Sequence, residues 1–238
     1  MTRPMTAAME PDLLTVAGKT KAFTVREPWS ALTHFIGMIL SLFGMTPLMM
    51  RAAETGDRLT MVSMGIFMTG MIMLYTASTV YHTFTVGYRA HTILKRIDHS
   101  MIFVLISTSY TPICLLVLPK SFGYPLLAAV WGISVVGILV KYFFIYCPKW
   151  VSSILYIGLG WAVVFSLREL AQVLPLGGII WLFIGGVIYT AGGVIYAVKM
   201  PGFEAKHTGF GVHELFHLFC MGGSFCHYMV MLQYVVRR

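Results

Sequence analysis

The stretch His213-Glu214-Leu215-Phe216-His217 sets two imidazoles one helical turn apart, with a carboxylate between them. Residues four apart share a helix face, so both rings can offer a nitrogen to one ion. The spacing is also the H-E-x-x-H pattern of zinc metalloproteases, whose glutamate is a general base. The residues around it, from Gly211 to Cys220, are strongly apolar, which a soluble protease would not require. Glu214 lies one residue from His213, about 100° round a helix. Two roles are open to it: a base, or a partner for a basic residue such as Lys206.

Three further stretches carry related chemistry. "EPWSALTH" places Glu27, Ser30 and His34 on one helical face, and "STVYH" places Ser78 and His82 one turn apart. Asp98 and His99 stand together at the start of another apolar run. Zinc favours four imidazole or carboxylate ligands, and a catalytic site leaves one position to water. His213 and His217 can supply two nitrogens and His82 a third, while Asp98 either ligates or holds the water. Zinc lowers the pKa of its water to about 7, which makes hydroxide available for attack on a carbonyl. Ser78 reads equally as support for a ligand or as a helix serine bonded to its own backbone. For His34 and His227 the expected role is a hydrogen bond between neighbouring helices. The seventeen methionines read as packing residues with no ligand spacing among them.

The elements that must position these groups are membrane helices. The chain has 238 residues, 58% hydrophobic and 11% charged, with mean hydropathy +0.79. Soluble domains carry about 25% charged residues, so too little polar surface exists here to cover a globule. Seven apolar runs are long enough to span, at about 29–50, 61–84, 98–118, 125–146, 151–171, 178–199 and 210–236. The fold class is therefore all-α, an integral membrane bundle of seven helices (29–236) preceded by a short segment, 1–28. That segment holds charges and no apolar run of the kind a cleavable signal needs, so the first helix is expected to direct insertion. The four cysteines show no CxxC pair and read as packing thiols. The net charge of +8 is scattered between apolar runs and forms no basic arm, which speaks for membrane orientation and against nucleic acid.

Eleven of the seventeen Lys and Arg fall in the N-terminal segment and the even-numbered loops: Arg3, Lys19, Lys21, Arg26; Arg89, Lys95, Arg96; Lys141, Lys149; Lys199, Lys206. The positive-inside rule then puts the N-terminus in the cytoplasm and the C-terminus outside. Alternation brings the start of helix 1, the end of helix 2 and the starts of helices 3 and 7 to one side of the membrane. Four segments distant in sequence thus carry their polar groups to a shared depth. Ionisable groups inside spans usually face a bundle interior.

The residues in this order resemble the hemolysin III family, the bacterial branch related to the progestin and adipoQ receptors, which include the adiponectin receptors. Its E-x2-N-x3-H motif is matched by Glu27, Ser30 and His34, with Ser in place of Asn. Its S-x3-H motif with a later Asp is matched by Ser78, His82 and Asp98, and its H-x3-H motif by His213 and His217. The resemblance implies seven helices with the N-terminus inside. It implies zinc on His82, His213 and His217 near the cytoplasmic face, with Asp98 reaching the ion through water. It implies hydrolysis of a lipid amide or ester, with Asp98 and Ser78 as catalytic candidates, in a multi-pass protein of the cell membrane, a bacterial inner membrane. The expected partners are membrane lipids, one of them a substrate. Two other functions are compatible with the same residues. One is a receptor or regulator of membrane state in which zinc is structural; the other is a hemolysin-like pore.

Overall fold

The computed structural model of the chain describes residues 24–198 and 209–237. The described residues are helical, with no strand, and seven helices are long and apolar enough to cross a membrane. They are α1 (Pro28–Glu54), α2 (Arg58–Thr83), α3 (Tyr88–Val117), α4 (Lys120–Phe143), α5 (Lys149–Val173), α6 (Leu176–Ala197) and α7 (Val212–Val235). Leu40, Phe43, Phe183 and many other large apolar side chains point outward, as a lipid-facing surface requires.

Short-range chemistry sets the helix ends. Pro119, Pro148 and Pro175 each occupy the position before α4, α5 and α6, with φ of −53°, −53° and −57°. Proline's fixed φ suits a helix start, and its missing N–H would have found no helical partner there. Asp57 caps α2, its carboxylate accepting from the N–H groups of Leu59 and Thr60. The Thr60 hydroxyl, which donates to the same carboxylate, holds the Asp57 carboxyl below its usual range. Inside α3, Pro112 offers no N–H to the ladder, and the helix widens into a π turn at Ile113–Val117. α5 tightens to a 3-10 turn at Trp161–Ser166. Tyr110 of α3 spans that break: its hydroxyl donates to the Gly160 carbonyl at 2.7 Å and accepts from the Val163 N–H at 2.6 Å.

α3 begins at Tyr88 rather than near residue 98. Hydropathy places the start after Lys95 and Arg96, but the basic turns still pair their backbone groups within the helix. Asp98 therefore sits well inside α3, not at its start.

α7 packs chiefly against α6 and also touches α1. Small residues permit the closest approach. A Cβ on Gly223 would lie 2.7 Å from the Tyr189 ring, and one on Gly185 would lie 2.6 Å from the His227 ring.

Candidate metal centre

The N-terminal entry to α1 is fastened to the end of α2. The backbone N–H groups of Arg26 and Glu27 donate to the carbonyls of Thr83 and His82, at 3.1 and 3.0 Å. Those carbonyls belong to the last turn of α2, where the helix has no partners of its own to offer. The Glu27 carboxylate then turns to the His82 ring, with Oε2 against Nδ1. That hydrogen bond, with the Arg26 guanidinium beside it, holds the Glu27 carboxyl at about 2 against its burial. Arg26 closes the arrangement, with Nε 3.3 Å from Glu27 Oε1 and its guanidinium over the Tyr81 ring.

The three imidazoles of His82, His213 and His217 converge. One nitrogen from each lies within 4.8 Å of the others. His82 and His217 are buried, and His213 is partly so. His82 Nε2 stands 3.2 Å from His213 Nε2. Two nitrogens bound at 2.0–2.1 Å to one tetrahedral ion would lie about 3.3 Å apart, so this pair is spaced for a shared ion.

The partners of the other ring nitrogens fix which nitrogen is free. Nδ1 of His82 faces a carboxylate, which only accepts, so Nδ1 carries the proton and Nε2 the lone pair. The Thr33 hydroxyl donates to the Ser30 carbonyl at 2.9 Å, so its oxygen accepts from His217 Nδ1 at 3.0 Å. His217 likewise presents a bare Nε2. Such outer partners are characteristic of metal-bound histidines.

The other candidates are placed as follows. Asp98 is not among the converging ligand atoms. Its carboxylate lies 3.4 Å from His99 Nδ1, close enough to His82 and His34 to interact electrostatically. Ser78 is buried one turn before His82, and its hydroxyl has no hydrogen-bond partner among the described residues. The back-bonded reading of Ser78 is thus not the one seen. Glu214 is engaged away from the histidines: Oε2 accepts from the Gly211 N–H at 2.7 Å, and Oε1 accepts from the Ser30 hydroxyl. It closes the first turn of α7 and ties it to α1. Lys206 lies outside the described residues.

His34 departs from expectation. Its ring is stacked on His217, with centroids 3.5 Å apart and planes 10° from parallel, and neither nitrogen has a hydrogen-bond partner among the described residues. Its edge meets Tyr75, whose hydroxyl donates to Ser224 at 2.8 Å; Tyr189 bonds to the same Ser224 oxygen. His227 lies deeper, edge-on to Tyr189 and against the Leu182 backbone, in the helix-to-helix role expected of it. A cavity of about 200 Å³ passes between α3, α5, α6 and α7, lined almost wholly by apolar side chains. Its wall includes Tyr196 and Phe216, which flank His213, and extends to His227.

The sequence alone did not indicate Thr33 or the contact of Glu27 with His82. Glu27 stands beside Pro28 at a helix start, and Thr33 stands one turn after Ser30. Both signals were available, but neither names the partner helix.

The chain is similar to known proteins of one family. The family described as Haemolysin-III related matches residues 23–228. The Hemolysin-3 homolog of Bacillus subtilis (strain 168) is 35% identical over 216 residues, covering 90% of this chain and 97% of that protein. Hemolysin-3 of Bacillus cereus is 30% identical over 214 residues, covering 90% of this chain and 94% of its own.

Proposed function

We propose, from the premise that this chain belongs to the haemolysin III-related family, that it is a zinc-dependent hydrolase of a membrane-lipid amide or ester. The observation that carries the reading is the convergence of His82, His213 and His217 beside an apolar cavity. Three converging imidazoles, two of them with a bare Nε2, suit zinc, and three protein ligands leave a position for water. Bound zinc would supply a hydroxide at neutral pH and polarise the carbonyl under attack.

The chain's own residues would do the rest. Glu27 and Thr33 orient the His82 and His217 rings through Nδ1. Asp98, near the histidines yet outside the ligand set, is the group to take a proton from water and return it to the leaving group. Ser78, buried with a free hydroxyl beside His82, is suited to hold the carbonyl oxygen. The cavity along α3, α5 and α6 would receive an acyl chain and exclude water. The protein would lie in the cell membrane as a multi-pass protein, residues 1–28 and the histidine end facing the cytoplasm and the C-terminus outside.

Purified protein is expected to hold about one zinc per chain. His217→Ala should lose metal and turnover together, and Asp98→Asn should keep the metal and lose turnover. Stoichiometric zinc without hydrolysis of any amide or ester in a broad lipid panel would overturn the hydrolase reading.

One observation favours a second reading. The histidines join α2 to α7, and their outer partners come from α1, so an ion there would also clip three helices together. In a receptor or regulator with structural zinc, Asp98→Asn would leave function intact, while His217→Ala would lower the melting temperature. The name Hemolysin-3 carried by the Bacillus cereus relative raises a pore as a third reading, which predicts dye release from vesicles.

A further inference from the structure

The early turns of α3 and the turn between α4 and α5 carry a second group of side chains, cations set over tyrosine rings, one of which, Tyr196, also flanks His213. Lys95 Nζ lies 4.6 Å from the centre of the Tyr146 ring, and the Arg96 guanidinium lies 4.9 Å from that of Tyr142. Lys149 Nζ lies 4.7 Å from the Tyr196 ring. Beneath them Lys141 is buried, its ammonium bonded to the Ser152 hydroxyl and, at 3.4 Å, to Cys147 Sγ. Among the described residues, no carboxylate lies within ion-pair distance of any of these four cations. Arg96 Nε is buried without a hydrogen-bond partner.

A cluster of cations with no counter-charge is costly near a bilayer core. Here the neighbours are aromatic. Tyr142, Tyr146 and Trp150 are more than half exposed, and Phe143 and Phe144 more so. Tyrosine and tryptophan concentrate at headgroup level, while phenylalanine enters the acyl region. We infer that this patch binds the phosphate of an anionic phospholipid headgroup. The lipid supplies the missing negative charge to Lys95, Arg96 and Lys149, the tyrosines hold the cations at headgroup depth, and Phe143 and Phe144 contact its chains. A soluble phosphate would satisfy the charges but make no use of the exposed rings. The patch lies at the same end of the bundle as the histidines, yet the inference does not depend on a metal.

The test reconstitutes the full chain in nanodiscs of phosphatidylcholine, with or without phosphatidylglycerol, and reads bound lipid by native mass spectrometry and the melting temperature. Wild type should retain phosphatidylglycerol in preference to phosphatidylcholine and melt higher when it is present. Lys95→Gln, Arg96→Gln and Lys149→Gln should each weaken retention about fivefold without changing the melting temperature in phosphatidylcholine alone. Arg58→Gln with Lys120→Gln, at the opposite end of the bundle, should leave the preference intact. If Lys95→Gln or Arg96→Gln fails to fold, the exposed Lys149→Gln decides alone. The inference is overturned if wild type shows no preference, or if the folded patch variants keep theirs. It is also overturned if inorganic phosphate displaces phosphatidylglycerol or raises the melting temperature as much.

Discussion

Glu27→Ala leaves the backbone bond to the His82 carbonyl in place and removes the carboxylate from Nδ1 and from the Arg26 guanidinium. The ring then loses the acceptor that fixes its tautomer and its angle. Loss of an outer partner of a metal-bound histidine costs about 10- to 100-fold in affinity, or about 1.4 to 2.7 kcal/mol. The Glu27 side chain is 44% exposed while that of His82 is 1% exposed, so water screens the charge and can replace part of the contact. The expected loss is therefore near the lower end, about tenfold. Thr33→Val provides the internal comparison. Its hydroxyl is a neutral acceptor for His217, and neutral hydrogen bonds are roughly half as strong as charge-assisted ones. It should cost less than Glu27→Ala. The assay is competition for zinc against a chromophoric chelator, on protein in detergent. Should Glu27→Ala hold zinc as tightly as wild type while His217→Ala holds none, Glu27 does not orient a ligand.

Glu214→Gln should keep its metal, because the carboxylate is committed to Gly211 and Ser30; metal analysis showing loss would return Glu214 to the metal. Gly223→Leu should destabilise by about 1–3 kcal/mol through overpacking, since even its Cβ would meet the Tyr189 ring at 2.7 Å; thermal denaturation reads this directly. Ser224→Ala should cost about 1–3 kcal/mol, because it strips the buried hydroxyls of Tyr75 and Tyr189 of their shared partner. Adding Tyr75→Phe and Tyr189→Phe should recover most of that loss, and no recovery would show that the serine acts through packing.

The seven helices were legible because each hydrophobic run is long enough to span and most are bounded by a proline, a glycine or a capping aspartate. The start of α3 was not, because hydropathy registers Lys95 and Arg96 as an exit from the membrane, while the backbone goes on pairing with itself. The histidine trio was legible from alternation alone, which carries His82, His213 and His217 to one end of the bundle. His34, expected to hydrogen-bond between helices, has no such bond among the described residues and stacks instead. Its stacking on His217 depends on the angle at which α1 crosses α7, and no spacing within one helix encodes that angle. The same holds for Glu27 and His82, which are 55 residues apart.

The three converging histidines come from α2 and α7, yet nearly everything that holds them comes from the nine residues 26–34, at and just before the start of α1. Arg26 and Glu27 fasten the end of α2 through the backbone, and Glu27 sets the His82 ring. Ser30 holds Glu214 and so the first turn of α7, Thr33 sets His217, and His34 covers its face. A partner on the second nitrogen fixes a buried imidazole's tautomer and orientation. Placing those partners on a third helix lets them set the two ligand helices against one another. The Ser at position 30, where the resemblance calls for Asn, fits this account, because its short hydroxyl reaches the Glu214 carboxylate. Residues 26–34 are thus better described as a bracket for the site than as a third ligand-bearing segment.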